Sequence, residues 1–338
     1  MAVAERTAAP LRVAVRGRPG VGCSTVERAL DLAGRRSGVT VTPRHSVADL
    51  QVYVVAEVVK PEDSAALPTH GSPVLAVLNK ADLTGFGGDG PIVAAGARCE
   101  EFAQLLGLAG VEMLPMSGLL AVAALADLDA MCTAALGELA AHPGGLACLD
   151  GSFDGFLAAQ LPVPVAARRR LLEVLDLFGI AVGVAALRQG GGPTQLRAVL
   201  RRISGVDAVI DRLVAAGAQV RYRRMRDAVC ELEALAVSKA VSEAVSEAVS
   251  GSGGQIRAFL SSDDTVVARM AVATEAARAF GLGPGPTAPL PRAAHWQRYG
   301  RTAVSGLHRA CAADIARGSL RLWSRVGGMP IGECEEAR

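Results

Sequence analysis

Gly17, Gly22 and Ser24 stand at the spacing of a turn that can hold a phosphate. They belong to Val13-Ala14-Val15-Arg16-Gly17-Arg18-Pro19-Gly20-Val21-Gly22-Cys23-Ser24-Thr25, an apolar run, then a glycine-rich turn, then a helix start. The glycines matter because successive backbone N–H groups must curl around an anion, and a Cβ would obstruct its approach. A helix beginning near Ser24 adds its positive end at the same place. In the template G-x-x-x-x-G-K-[ST] the lysine bridges phosphates and the hydroxyl reaches Mg²⁺. Ser24 supplies that hydroxyl as the candidate metal ligand, but Cys23 occupies the lysine position. A thiol carries no positive charge, so anion binding weakens and phosphoryl transfer weakens more.

A second chemical stretch follows Pro73–Leu78, which reads as a buried parallel strand. It is Asn79-Lys80-Ala81-Asp82. The Asp82 carboxylate suits the N1–H and N2–H₂ edge of guanine, the Lys80 stem can cover a ring, and Asn79 can tie this loop to the glycine-rich turn. A third stretch, Val111-Glu112-Met113-Leu114-Pro115-Met116-Ser117-Gly118-Leu119, reads as a last strand and a loop that supports a base.

These three pieces, in this order and each at the C-terminal end of a strand, resemble the Era-type and dynamin-like branch of the P-loop GTPases. Gly17-Arg18-Pro19, Val21-Gly22 and Ser24-Thr25 follow that branch's G-R-P-N-V-G-K-S-T, Asn79-Lys80-Ala81-Asp82 its N-K-x-D, and Ser117-Gly118-Leu119 its S-A-[KL] with glycine for alanine. The resemblance covers residues 10–140. It implies GTP or GDP held at the phosphates by Gly17, Arg18, Gly20, Val21, Gly22, Cys23, Ser24 and Thr25. It implies the base held by Asn79, Lys80, Asp82, Ser117 and Gly118, with Mg²⁺ at Ser24.

The resemblance is also incomplete. Only 57 residues separate Gly22 from Asn79, where the family uses many more. The literal D-x-x-G there, Asp31-Leu32-Ala33-Gly34, falls inside the first helix, too early to follow a strand. By position the nearest match to the family's D-T-P-G is Val41-Thr42-Pro43-Arg44, with both ends lost. A first switch, one edge strand and a second switch helix are read as deleted. Five parallel strands remain, expected in the order 3-1-4-5-6 of the family's scheme. No catalytic residue is assigned, and hydrolysis is expected to be very slow or nil. Arg16 and Arg18 are candidates to replace part of the lost charge; ordinary solvated arginines are the favoured reading.

The elements that must position these residues alternate. Strands are expected at Leu11–Val15, Val39–Thr42, Leu50–Val55, Pro73–Leu78 and Val111–Pro115. Helices are expected at Ser24–Arg36, Pro61–Leu67, Ile92–Leu108 and Leu119–His142, with a glycine-rich loop at Gly85–Gly90. This is the β-α-β pattern of a parallel sheet flanked by helices. The predicted architecture is an α/β parallel-sheet, G-domain-like N-terminal domain over residues 1–145 and an all-α domain over 150–330, with a tail at 331–338.

In the second half, helices are expected at Phe153–Gln160, Ala166–Leu187, Gln195–Ile203, Gln255–Leu260, Thr265–Phe280, Arg292–Tyr299 and Leu307–Val326. Val206–Ser250 reads as one very long helix or two, with a four-residue A-V-S-[KE] repeat over its second part. Such a repeat drifts by about 40° per step around a helix of 3.6 residues per turn, so its valines wrap rather than build a core face. Trp296 and Trp323 are read as core anchors.

Composition sets the limits. The chain has 338 residues, 51% hydrophobic but only 4% aromatic, so its core is built from small side chains. Residues 1–150 hold 11 Lys/Arg against 16 Asp/Glu, and residues 151–338 hold 24 against 17. The basic runs Arg168-Arg169-Arg170, Arg201-Arg202 and Arg221–Arg226 leave a membrane surface open as a partner, though wet helix faces account for them. Nucleic acid is disfavoured, because Tyr222 is the one aromatic nearby to stack a base. Seven scattered cysteines without C-x-x-C suit free thiols in a reducing compartment. The longest apolar run, Leu177–Leu187, has 11 residues, against the ~20 a bilayer requires. A cytoplasmic protein is expected, with peripheral attachment to the inner membrane face left open.

Two functions follow. One is weak guanine-nucleotide binding with the helical domain as a protein-interaction surface. The other is a non-binding pseudo-GTPase scaffold that pairs with itself or with an intact dynamin-like GTPase.

Overall fold

The computed structural model describes residues 2–43, 46–67, 73–84, 90–106, 112–126, 128–146, 149, 152–246 and 251–326. The expected loop residues 85–89, the expected tail 331–338, and Arg44, Val111, Cys148, Cys334 and residues 247–250 lie outside the described residues.

The chain begins with α1 (Ala2–Ala8) and β1 (Leu11–Gly17), then α2 (Cys23–Gly34), β2 (Val39–Thr42), β3 (Leu50–Ala56), α3 (Pro61–Ala66), β4 (Val74–Asn79), α4 (Pro91–Leu105) and β5 (Met113–Pro115). Helices follow: α5 (Gly118–Leu125), α6 (Ala130–Ala141), α7 (Phe153–Ala158), α8 (Val165–Arg188), α9 (Pro193–Ser204), α10 (Val206–Ser246), α11 (Ser252–Ser261), α12 (Asp263–Ala279), α13 (Pro289–Thr302) and α14 (Gly306–Arg325). No single helix among the described residues is long and apolar enough to cross a membrane.

The five strands form one parallel sheet in the order β2-β1-β3-β4-β5. Counted in the family's scheme, this is the expected 3-1-4-5-6. The central strands read as unbroken apolar runs because both faces are covered: Val13, Ala14 and Val15 in β1 and Val52, Val54 and Val55 in β3 are fully buried. On one face Tyr53, Val55, Ala76 and Leu78 pack against Ala95, Cys99 and Phe102 of α4.

Two expectations about the helices are corrected, and a third is met. The long helix Leu119–His142 is two helices, because Ala126 is extended and Asp129 starts a new one by accepting from the Cys132 amide at 2.7 Å. Helix α8 is broken at Asp176, whose φ of 59° and ψ of 174° are not helical. The repeat segment continues as helix through Ser246, and Val237 and Val241 are exposed, as a wrapping stripe requires.

The division of the chain also differs from the expected 145–150. It falls between Val214 and Ala215, inside α10: Pro10–Val214 is one unit, and Met1–Ala9 with Ala215–Arg338 is the other. The physical reason is a shared core. Leu120 and Ala123 of α5, Leu136 and Leu139 of α6, Leu171 and Leu175 of α8, and Leu196 and Leu200 of α9 bury one another. The Ser117 amide, at the end of the β5 loop, donates to the Ser204 carbonyl at 2.8 Å. The helices after the sheet therefore belong to the sheet's unit.

In the other unit, Tyr222 of α10, Met270 and Ala273 of α12, Trp296 of α13, and Cys311 and Ile315 of α14 form the core. Trp296 is an anchor there as expected, while Trp323 is only half-buried. Tyr222, the one candidate stacking aromatic, is fully buried and donates to Asp314 at 2.9 Å.

Candidate functional site

Strand β1 ends at Gly17, which pairs with Val54 of β3. A Cβ at Gly17 would lie 2.5 Å from the Val54 carbonyl oxygen and 2.9 Å from Cys23 Sγ. The thiol thus packs inward against Gly17, and Cys23 is 5% exposed. The position expected to carry a cation toward phosphates carries a buried sulfur instead.

The turn itself has the backbone its glycines suggest. Gly20 and Gly22 have φ of 88° and 85°, which L side chains rarely adopt. Space beside Gly20 is open, whereas a Cβ at Gly22 would stand 2.5 Å from Asn79 Nδ2. Helix α2 starts directly after Gly22, and no side chain caps it. Its first turn therefore presents backbone donors and the positive end of the helix dipole at the turn.

Asn79 is the brace of the site. Its Nδ2 donates to the Val21 carbonyl at 2.8 Å, and its Oδ1 accepts from the Gly118 amide at 2.9 Å. It is 4% exposed. One amide group at the end of β4 thereby holds the glycine turn and the β5 loop together. Ala81 donates to Met116 O at 3.2 Å and Met116 to Leu78 O at 2.8 Å, which locks the two loops side by side. Ser117 is buried and its backbone amide is engaged by Ser204. Lys80 has a left-handed φ of 57° and an exposed ion pair with Glu57 at 3.4 Å.

Asp82 is 8% exposed, yet it has no hydrogen bond or ion pair among the described residues. It lines a cleft of about 810 Å³ with Leu83, Leu146, Leu149, Phe153, Asp176 and Phe178. Ser24 and Thr25 line a different cleft of about 430 Å³, walled by Leu119, Val122 and Ala123 of α5 and by Arg170 and Glu173 of α8. The glycine turn and the β5 loop, which Asn79 ties together, thus meet at the Ser24 cleft, while Asp82 on Asn79's own loop opens into a separate one.

The chain matches none of the family models, curated proteins or solved structures with which it was compared.

Arg18 is not available as a substitute cation. Its Nε lies 2.9 Å from both oxygens of Asp63, and its Nη2 donates to Val58 O at 2.9 Å. Asp63 is fully buried and also accepts from Tyr53 OH at 3.0 Å and the Lys60 amide at 2.8 Å. Burial and the Asp63 carboxylate push the Tyr53 hydroxyl's pKa far up. This group went unpredicted, although Asp63 follows Pro61 in the first turn of a helix, where a carboxylate commonly folds back on the backbone.

Mg²⁺ does not fit the donor set. Ser24 offers one exposed hydroxyl, and Val41, at the position where the resemblance leads one to expect a carboxylate, has none. Thr42 Oγ1 is turned to Val13 O at 3.4 Å. No group of three His, Cys, Asp or Glu suited to a metal exists among the described residues.

The basic runs are largely structural. Arg168 is buried and donates to the Phe156 and Ala159 carbonyls at 2.7 and 2.8 Å, closing the end of α7. Arg170 pairs with Asp129 and Glu173, Arg201 with Asp207, and Arg224 donates to Ala9 O. The buried Arg168 corrects the expectation of a wet helix face.

Proposed function

We propose that the unit Pro10–Val214 is a degenerate GTPase-type domain that binds a guanine nucleotide weakly and hydrolyses it little or not at all. The observation that carries this reading is Asn79, whose two hydrogen bonds join the glycine turn to the loop bearing Ser117 and Gly118. That brace holds the two loops together at the end of β4. On this reading Gly20, Gly22 and the first turn of α2 hold phosphate, and Asp82 accepts from the base. The missing lysine removes a charge-assisted contact worth about 1.5–3 kcal/mol. With Arg18 held by Asp63 and a donor set unfit for Mg²⁺, the share of charge stabilisation that a lysine and a metal supply to a transferring phosphoryl group is lost. The protein is placed by this reading in the cytoplasm, with its helical segments as a protein-interaction surface.

Titration with fluorescent GDP tests it. Saturable binding in the tens to hundreds of micromolar, lost in Asp82→Ala, is the expected result. A flat titration at the highest usable concentration would overturn it.

A second reading is a non-binding scaffold that pairs with an intact dynamin-like GTPase or with itself. What favours it is the separation of the clefts at Ser24 and at Asp82. Size-exclusion chromatography with and without nucleotide separates the two: assembly indifferent to GDP supports the scaffold.

A further inference from the structure

The cleft at Asp82 contains a second carboxylate that the GTPase motifs do not include. Asp176 lies midway along α8 at φ 59° and ψ 174°. That region of backbone space is almost reserved for glycine, so a side-chain-bearing residue there is strained. No glycine or proline at Val174-Leu175-Asp176-Leu177-Phe178 demands a break there. One Asp176 oxygen accepts from the Leu177 amide at 2.6 Å, and the other remains. The helix is thus bent at considerable cost, and the bend sets a half-buried acid in the wall of an apolar cleft.

Asp82 supplies the independent sign of a ligand. It is more than nine-tenths buried, lines the same cleft, and lacks any partner among the described residues. Its oxygens are not among the enclosed side-chain atoms that lack a partner, so they open into the cleft, where a donor on a ligand can reach them. The walls contributed by Leu83, Leu146, Leu149, Phe153 and Phe178 are apolar, and the volume of about 810 Å³ falls within the range of small-ligand sites. Burial first, and then the charge of Asp82, raise the Asp176 pKa, so the two acids feel each other. A donor-rich planar group between them would relieve both.

Guanine offers three hydrogens on one edge, one at N1 and two at N2. A single carboxylate can take N1–H and one N2–H. We infer that Asp176 is a second base-reading residue, which accepts the N2 hydrogen that Asp82 leaves over and so makes the cleft selective for a 2-amino purine. This inference rests on the guanine-binding reading of the unit.

Guanosine and inosine separate the base cleft from the phosphate turn, because neither carries phosphate and they differ in the 2-amino group. Calorimetric titration of the full chain with each is the experiment. Guanosine is expected to bind the native protein at least tenfold more tightly than inosine, since a site built to hydrogen-bond a group rejects the analogue lacking it. Asp176→Gly suits the observed φ and removes the carboxylate, so the guanosine-to-inosine ratio should fall about tenfold. Asp176→Asn keeps an acceptor and the size and shape of the native side chain, so the ratio should fall less. An unchanged ratio in Asp176→Gly overturns the role of Asp176 while leaving the weak nucleotide site in place. Equal affinity of the native protein for guanosine and inosine overturns 2-amino selectivity altogether. Absence of binding by guanosine and by GDP alike removes the parent reading and this inference together.

Discussion

A Cβ placed on Gly22 would stand 2.5 Å from the Nδ2 of Asn79. The glycine turn and the loop after β4 are therefore in backbone-to-side-chain contact, and the absence of a side chain at Gly22 is what lets Asn79 reach Val21. Gly22→Ala adds a left-handed strain, with φ at 85°, to that clash. The expected loss is about 3 kcal/mol of unfolding free energy. Chemical denaturation of the purified variant measures it, and a loss below one third of that size would mean the brace yields easily.

Asp63 is a buried acid with three partners, Arg18, Tyr53 and the Lys60 amide. Removing the acid leaves the half-buried Arg18 guanidinium without its counter-charge. Asp63→Ala is expected to cost about 3–5 kcal/mol. Tyr53→Phe removes one hydrogen bond and should cost about 1 kcal/mol. Urea unfolding of both variants checks the ranking. Equal small effects would show that the cluster carries little of the stability.

Cys23→Lys restores the missing cation at its template position. The lysine must leave the pocket beside Gly17 that the thiol now fills. GDP affinity is expected to rise about tenfold or more, the equivalent of one charge-assisted hydrogen bond. Fluorescence titration against the native protein reads the change. No gain would favour the scaffold reading.

Burial pushes the Cys99, Cys132 and Cys311 thiols up to about 12. In the unfolded chain each titrates near the ordinary value of 9.0. The folded protein therefore keeps protons that the unfolded chain loses, and stability is whole below that ordinary value. It declines as pH rises from about 9 toward about 12. Denaturation midpoints across that window should fall with pH, and less so in Cys99→Ser, to the extent that variant folds. Alkylation mapped by mass spectrometry offers a second measure. Exposed Cys230 should react in the native state, and the three buried thiols only after unfolding.

The strands and their order were legible because burial on both faces writes itself as continuous Val, Leu and Ala runs, and because β-α-β alternation forces parallel neighbours. The β1, β3 and β4 runs needed no information from elsewhere in the chain. The glycine turn was legible for a related reason: Gly20 and Gly22 mark positive φ, a property of the residue itself. Asn79 was assigned to tie the turn to its own loop, and its bond to Val21 O is there.

What the sequence by itself determined is thus the local part: where backbone must be extended, helical or left-handed, and which loops end at the same rim of the sheet. Tertiary structure decided where the side chains of those loops go. It turned Cys23 under the turn, gave Arg18 to Asp63 across 45 residues, bent α8 at Asp176 and joined the helices from Gly118 to Ser204 to the sheet. Each of these depends on partners far away in the chain, and a contact at long range leaves no periodicity or propensity in the residues that make it. Propensity would have kept Asp176 helical, yet its φ of 59° and ψ of 174° leave the helix there.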